Sequence, residues 1–376
     1  MSVEGELLVR VRSEGERVTS VTARCLRPRL AARLFPGRAA RDVAPLARTL
    51  YALCGRSQAI AAEAAIEAIR GGRASEALTR GRERRIAAET LMEHAWRLLV
   101  DAPQMAGREP AVASLADARR VLSPFLDAGE ACDLDVEPVL DWARGALLGR
   151  RPGHFLEMDT LAAFREWTRW SSTPVAGACG ALVESDATLG ASDVSLMPAA
   201  AAWIGDELAG AIDADTAFDD VPQLAGTPRE TGPLARTAGH PLVAAATAAW
   251  GRGCGARWIA RLVDTATALQ RIEGTARNEG PVAAAFGAVA TGRDAGISWL
   301  ETARGLLVHR VRLDGERIAD YRIVAPTEWN FHPAGAFARG AQSLDAGDAT
   351  ALEAQVRRLV ASLDPCVGVR YEAAHA

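Results

Sequence analysis

Two cysteines, Cys54 and Cys366, stand in segments that could supply metal ligands. Cys54 lies in LYALCGRSQAIAAEAA, on or beside an alanine-rich helix, and Cys366 directly follows Asp364-Pro365, which ends the preceding helix. Thiolates are suitable ligands for soft metal centres. Each cysteine also fits a structural role, Cys54 as a small buried apolar group and Cys366 as a thiol in a turn. The residue types alone leave both interpretations open.

The other polar candidates and the remaining cysteines are less informative when taken one at a time. Glu4 fits a surface charge, Arg304 a hairpin charge and Thr327 a turn residue. The six cysteines form no C-x-x-C pair, which argues against a zinc ribbon or a thioredoxin-like redox site. Four of them are interpreted as inert small residues: Cys25, Cys132, Cys179 and Cys254.

Strand patterns occur near both ends of the chain. Apolar residues alternate with polar ones over 7–11 and again over 18–23, and Ser-Glu-Gly-Glu at 13–16 separates the two runs. This pattern predicts a hairpin over 5–24. A second hairpin is predicted over 306–324, with its turn at Asp314-Gly315.

The region between the hairpins is predicted to be helical for most of its length. Two stretches, 174–196 and 213–239, are richer in Gly, Pro, Ser and Asp and are interpreted as loops. The sequence therefore predicts a mainly α fold with small β hairpins near both ends. We expect one domain over 1–376, made of the hairpin 5–24, a helical body 42–290 and a C-terminal hairpin and metal-motif segment 297–376. Helices are expected at 42–71, 83–100, 115–128, 135–148, 158–171, 197–212, 240–274 and 347–363.

Composition excludes several classes of function. The 376 residues are 49% hydrophobic, which is enough for a continuous core, and the net charge is −4. The chain has no basic stripe that could follow a phosphate backbone, so no nucleic-acid partner is expected. No run approaches the roughly 18 apolar residues of a membrane span, and the first residues lack the apolar segment of a signal peptide. We therefore expect a cytoplasmic protein without a membrane partner, with reduced thiols.

Several short segments occur in an order that points to a known family. They are SVEG at 2–5, GRAARDVAP at 37–45, LCG at 53–55, ETARGLLVH at 301–309, IVAPTEWN at 323–330 and DPC at 364–366. In this order and wording the chain resembles the large subunit of nickel–iron hydrogenases. The order of the fragments is far more specific than any single fragment. The stretch at about 60–290 is similar only in being helical.

The resemblance also shows what this chain lacks. In the enzyme family, four thiolates from two C-x-x-C motifs hold nickel and an iron that carries two cyanides and one carbon monoxide. Here each motif keeps only its first cysteine, and the positions of the second cysteines are Ser57 and Val369. The resemblance therefore implies that no four-thiolate nickel site forms, that no nickel is held and that the protein does not oxidise hydrogen.

The groups that surround the iron in the enzyme family are better retained. Arg304 and the Pro326-Thr327 pair match the residues that hydrogen-bond the two cyanides. A metal-bound cyanide nitrogen only accepts hydrogen bonds, so a guanidinium and a hydroxyl are suitable donors. Ala303 matches a small residue packed beside the diatomic ligands. Glu4 matches the acidic residue near the cysteines, and here we expect it either to hydrogen-bond the Cys366 thiol or to line the access path.

In keeping the groups around the iron and lacking two nickel ligands, the chain resembles the hydrogenase expression/formation proteins of the HupK/HoxV family. The resemblance implies a non-enzymatic scaffold that transiently holds an Fe(CN)₂(CO) unit between Cys54 and Cys366. The implied partners are HypC/HypD-like iron-unit assembly chaperones and the hydrogenase large-subunit precursor. Two alternatives stay open: a degenerate paralogue that acts only through protein contacts, and an active hydrogenase large subunit. Both retained cysteines match terminal nickel ligands of the family, so the iron unit would have to sit differently in the pocket.

Overall fold

Both ends of the chain meet in a three-stranded sheet. A computed structural model describes residues 5–129, 134–198, 204–279 and 285–375. Strands β1 (Glu6–Glu14) and β2 (Arg17–Cys25) form an antiparallel hairpin, and β7 (Gly368–His375) pairs in parallel with the other edge of β1. The alternating apolar residues of β1 face the core, as the hairpin prediction requires. Strand β7 was not predicted, since eight residues near the chain end carry too little pattern to identify a strand.

The second sheet is an antiparallel meander of four strands. Strands β3 (Phe286–Gly292), β4 (Ala295–Thr302), β5 (Gly305–Asp314) and β6 (Arg317–Val324) pair in sequence order. The predicted hairpin over 306–324 is confirmed as β5 and β6. The two strands before it were not predicted, and β3 begins inside the stretch interpreted as helical. Its alanines and glycines favour no strand pattern, so sheet pairing decides its conformation.

Helices make up most of the remaining structure, which confirms the predicted fold class. Within the described ranges, a 3₁₀ turn lies at Ala40–Asp42, and π turns lie at Arg97–Asp101, Arg144–Leu148 and Ile204–Leu208. The α-helices among the described residues are α1 Leu30–Leu34, α2 Val43–Leu50, α3 Gly55–Ile69, α4 Glu76–Trp96, α5 Ala102–Met105, α6 Val112–Asp127, α7 Glu137–Ala143, α8 Pro152–Leu156, α9 Leu161–Trp170, α10 Pro174–Asp186, α11 Ala209–Ala214, α12 Pro233–Thr237, α13 Pro241–Trp250, α14 Cys254–Ala276, α15 Pro326–Asn330, α16 Ala336–Ala341 and α17 Ala349–Leu363.

Helix α14 is the centre of the helical body. Its residues are buried on almost every side, and it packs against α4, α8, α10, α12 and α13. Its buried residues include charged ones, and Arg257 is paired with Glu230. Helix α17, which precedes the turn of Cys366, also packs against α14. None of the helices in the described ranges is long and apolar enough to cross a membrane.

Several predictions about the helical region were wrong. The predicted helix 240–274 is divided into α13 and α14 by residues 251–253, and α12 lies inside the stretch 213–239 that was interpreted as a loop. The stretch 174–196 was interpreted as a loop, yet α10 occupies its first half, with Thr173 capping the helix and Pro174 at its first position. Proline at this position is compatible with a helix because its missing N–H would be unpaired there anyway. The predicted helix 42–71 is divided into α2 and α3 by residues 51–54, which places Cys54 immediately before α3. Part of 197–212 and Cys132 lie outside the described residues.

Candidate functional site

Cys54 lies where the end of α2 and the start of α3 come close together. It is the residue that precedes α3, and its sulfur accepts a hydrogen bond from Gln58 Nε2 at 3.6 Å, one turn along the helix. A β-carbon at Gly55 would lie 2.4 Å from the carbonyl oxygen of Arg48, so only glycine allows this approach. The LCG segment thus fixes the position of the thiol through its glycine.

A buried chain of hydrogen bonds connects Cys54 to the second sheet. Gln58 Oε1 lies 2.9 Å from His309 Nε2, and His309 Nδ1 lies 2.7 Å from the hydroxyl of Tyr321. Because the amide oxygen only accepts, Nε2 carries the imidazole proton and Nδ1 accepts from the tyrosine. Burial lowers the pKa of His309 to about 3, so the ring is neutral in the folded protein. This chain orients the amide that contacts the Cys54 sulfur.

The neutral state of His309 predicts a loss of stability in acid. The unfolded chain binds a proton at His309 near its ordinary pKa of 6.5, whereas the folded protein does not until about pH 3. The contribution of His309 to the free energy of unfolding is therefore fully present above about pH 6.5 and decreases as the pH falls towards 3. We expect this group to lower the free energy of unfolding by about 2 kcal/mol between pH 8 and pH 5.

Urea unfolding at several pH values can measure this contribution. In His309→Gln, the decrease in the free energy of unfolding between pH 8 and pH 5 should be smaller by about 2 kcal/mol. The variant should also be less stable at pH 8, because the contacts with Gln58 and Tyr321 are altered. The exposed His154 offers a matched control, and His154→Gln should keep the wild-type pH profile. Parallel pH profiles for wild type and His309→Gln would contradict the prediction.

Cys366 lies in the turn between α17 and β7. The preceding Asp364 ends α17 in the left-handed conformation, with φ of 55°. Thr327 Oγ1 accepts a hydrogen bond from the Cys366 N–H at 3.0 Å and also lies 3.0 Å from its sulfur. Since the N–H occupies an acceptor site of the hydroxyl, the hydroxyl proton is available to donate to the sulfur. On another side, Arg27 Nη2 lies 2.6 Å from the same sulfur.

Thr327 is positioned by the short helix α15. Pro326 is the first residue of that helix, where its fixed φ favours helix initiation. Asn330 Oδ1 accepts from the N–H of Thr231, and its Nδ2 lies 3.5 Å from the carbonyl oxygen of Leu363. The Pro-Thr-Glu-Trp-Asn segment is therefore tied to the end of α17, next to Cys366.

Cys54 and Cys366 line the same cavity, although they come from opposite ends of the chain. Its other lining residues are Arg27, Tyr51 and Leu53, and the space between them, including open solvent at its mouth, is about 230 Å³. Leu53 is 39% exposed, so the cavity lies close to the surface. Burial, together with the nearby Cys366, raises the pKa of the Cys54 thiol to about 12. The structure thus brings together two thiols and, through Arg27, a cationic donor.

Arg304 lies behind this cavity and contacts carboxylates. Its Nη2 donates to Glu93 at 2.7 Å, and its Nε lies 3.2 Å from Asp364 Oδ1. Burial alone would lower the pKa of Arg304, but Asp364 and Glu93 outweigh it and raise the pKa. The neighbouring Ala303 is 4% exposed. Glu4 lies outside the described residues.

The positions that match the lost cysteines have other partners. Ser57 is buried, and its hydroxyl and backbone N–H both donate to Glu89. Burial raises the pKa of Glu89, although these hydrogen bonds act in the opposite direction. Val369 is half-buried in β7, where it pairs with Leu7 of β1. Neither side chain offers a thiolate for a metal.

Three residues beside Cys366 were not identified from the sequence. Arg27 contacts the Cys366 sulfur, and Glu328 lies 3.7 Å from Arg27 Nε. Cys25, which was interpreted as inert, interacts with Glu328, Arg27 and Cys366, and burial raises the pKa of its thiol. The raised pKa keeps this thiol protonated, so the interpretation of Cys25 as an inert residue stays a prediction. Nothing in the segment Arg24–Arg29 marks a site, because its neighbours at Glu328 and Cys366 are distant in sequence.

The described residues contain no cluster of three or more His, Cys, Asp or Glu side chains arranged to hold a metal ion. The thiols available from both retained motifs are Cys54 and Cys366. Two thiols can hold only a metal that brings further ligands of its own or accepts a low coordination number.

Comparison with known proteins agrees with the motif order. Residues 234–369 match the nickel-dependent hydrogenase family. A variant of the [NiFeSe] hydrogenase from Desulfovibrio vulgaris Hildenborough is 16% identical, with a TM-score of 0.64 over 97% of this chain and 99% of that chain. An NAD⁺-reducing [NiFe]-hydrogenase in the H₂-reduced state is 15% identical, with a TM-score of 0.61 over 93% and 92%. At these identities the similarity establishes the fold alone.

Two relatives are similar along nearly the whole chain. The hydrogenase expression/formation protein HoxV from Cupriavidus necator is 32% identical over 352 residues, which are 91% of this chain and 90% of that protein. The hydrogenase expression/formation protein HupK from Bradyrhizobium diazoefficiens is 32% identical over 354 residues, 92% of this chain and 91% of that protein. The resemblance inferred from the motifs is thereby confirmed, and the chain belongs to the HupK/HoxV family of hydrogenase expression/formation proteins.

Proposed function

We propose that this protein assists nickel–iron hydrogenase maturation by transiently holding an Fe(CN)₂(CO) unit between Cys54 and Cys366. The observation that carries the proposal is the shared cavity, in which thiols from two distant motifs lie beside hydrogen-bond donors. The iron unit is cargo that the protein receives and passes on. Assembly chaperones of the iron unit are the proposed donors, and the hydrogenase large-subunit precursor is the proposed acceptor.

The residues present suit this cargo. Two thiolates and three diatomic ligands would give a five-coordinate iron, and sulfur donors suit a soft, low-valent metal. Binding requires both thiols to lose their protons, which the high pKa of Cys54 opposes until the metal arrives. The Thr327 hydroxyl can reorient to donate to a cyanide nitrogen. The small Ala303 side chain leaves room for diatomic ligands near Arg304.

The same geometry disfavours a hydrogen-oxidising centre. At the positions of the bridging cysteines stand a serine bonded to Glu89 and a valine in a strand. A carrier has no need of these ligands, since it must release its cargo. We therefore propose an accessory role without catalysis and without stable nickel binding.

Infrared spectroscopy tests the carrier role directly. The full chain would be purified anaerobically from cells that make the hydrogenase, and its metal content measured in the same sample. We expect cyanide and carbon monoxide stretching bands, stoichiometric iron without nickel, and no hydrogen-dependent dye reduction. Bands should be missing from protein made in cells that lack the iron-unit assembly chaperones.

Protein of normal abundance that carries neither bands nor iron would contradict the carrier role and favour a paralogue that acts only through protein contacts. Hydrogen-dependent dye reduction by homogeneous protein would instead favour the enzyme alternative.

A further inference from the structure

Arg27 occupies the wall between two cavities. One is the cavity of Cys54 and Cys366, and the other lies against α1 and β6. Arg27 and Tyr51 line both. The Arg27 side chain is only 14% exposed.

The guanidinium of Arg27 contacts the Cys366 thiol and has a second N–H group without a hydrogen-bond partner among the described residues. Its Nη2 lies 2.6 Å from the Cys366 sulfur. Its Nε is buried and makes no hydrogen bond with any described residue, although Glu328 lies 3.7 Å away. An unpaired buried donor is costly, so it is expected to find a partner when a ligand fills the cavity.

Arg304 is less well placed for this task. Its Nε is also buried without a hydrogen bond to any described residue, but that atom lies 3.2 Å from Asp364 Oδ1 while Nη2 donates to Glu93, and Arg304 is not among the residues that line the thiol cavity. To donate to a ligand of the iron it would have to give up contacts with two carboxylates. Arg27 needs no such change, because it already touches the sulfur that would bind the metal.

We propose that Arg27 is the main hydrogen-bond donor to the cyanide ligands of the iron unit, while Arg304 acts as a positioning residue through Asp364. This inference rests on the proposed carrier function. A cyanide nitrogen on an iron bound to Cys366 is an anionic acceptor beside the metal, within reach of a group that contacts the sulfur. The planar fork of arginine can donate to the sulfur and to a cyanide at the same time. The cationic group also balances the negative charge that thiolates and cyanides bring into a buried cavity.

The first test compares iron-unit occupancy in variants by infrared spectroscopy. Arg27→Gln should lower occupancy about ten- to hundredfold and shift the cyanide bands of any remaining unit more than the carbon monoxide band. Arg27→Lys should recover part of the occupancy, because it keeps the charge without the fork. Arg24→Gln is the matched control, since it removes an exposed arginine three residues away, at the end of β2, and should leave the bands unchanged.

Arg304→Leu separates positioning from ligand contact. It should lower occupancy and the midpoint of thermal unfolding without shifting the cyanide bands, whereas Arg27→Gln should shift those bands. Wild-type occupancy and unchanged cyanide frequencies in Arg27→Gln would overturn the inference while leaving the carrier role intact.

A second test does not depend on the cargo. The full chain, free of iron, is alkylated with iodoacetate or with iodoacetamide, and modified Cys366 is quantified by peptide mass spectrometry. Both reagents attack the same thiolate, so the ratio of their rates reports the preference of the cavity for an anion. Arg27→Gln should lower this anionic-to-neutral ratio about fivefold, and Arg24→Gln should not.

The two tests separate the possible failures. An unchanged ratio in Arg27→Gln would overturn the assignment of Arg27 as an anion donor, whatever the infrared spectra show. Wild-type protein without cyanide and carbon monoxide bands would overturn the carrier role, and with it the assignment of cyanide as the anion that Arg27 contacts. A reduced ratio in that case would still support Arg27 as the anion-recognising residue of the cavity.

Discussion

Replacing Cys366 with alanine is expected to abolish the support that this protein gives to hydrogenase maturation, while the protein accumulates normally. The variant loses a coordination bond outright, and Arg27 and Thr327 lose the sulfur that they both contact. A side chain without donor atoms cannot replace a thiolate. Cys54→Ala should have the same effect, because a single thiolate leaves the iron unit bound at one point only.

Hydrogen uptake by cells that carry each variant, with protein abundance checked, measures the effect. Cys179→Ala is the matched control, since Cys179 is fully buried in α10, away from the thiol cavity, and should support full maturation. Infrared bands should disappear from the Cys54 and Cys366 variants and persist in the control. If both site variants still support full maturation, the protein acts through contacts alone.

Replacing Asp364 with asparagine is expected to have the largest effect on stability. Its carboxylate lies 2.7 Å from Arg97 Nε, 3.2 Å from Arg304 Nε and 3.7 Å from Arg261 Nη2. Burial alone would raise the pKa of Asp364, but these three guanidinium groups outweigh it and lower the pKa. Removing the charge leaves Arg261 without a carboxylate partner among the described residues, and Arg304 and Arg97 with one each, Glu93 and Asp101. We therefore expect a loss of about 3 kcal/mol in the free energy of unfolding.

Asparagine is the informative replacement because it isolates the charge. Asp364 has a positive φ, and asparagine adopts that conformation nearly as readily as aspartate does. Urea unfolding should show a lower midpoint with an unchanged slope. Asp193→Asn removes an exposed carboxylate and should change the free energy of unfolding by less than about 0.5 kcal/mol. A similarly small effect of Asp364→Asn would mean that the arginines find other partners.

The sequence by itself determined the elements whose pattern is local. The alternating residues of β1 and β2, the turn between β5 and β6, and the periodicity of most helices depend on neighbours a few positions apart. The order of short motifs identified the family and singled out Cys54, Cys366, Arg304 and Thr327. The missing second cysteine of each C-x-x-C motif is visible when the sequence is compared with the family's motifs. Ser57 and Val369 were therefore also recognised.

Only the tertiary structure decided which groups surround the thiols. Arg27 and Cys25 carry no motif, and their approach to Cys366 depends on how the N-terminal hairpin packs against α15 and the turn before β7. Helix α10 was missed because its two glycines disfavour a helix locally, and packing against its neighbours outweighs that preference. The partners of Arg304 were equally hidden, since Glu93 and Asp364 lie on different helices. Local patterns encode contacts along one element, whereas contacts between distant segments arise only when the packed core brings them together.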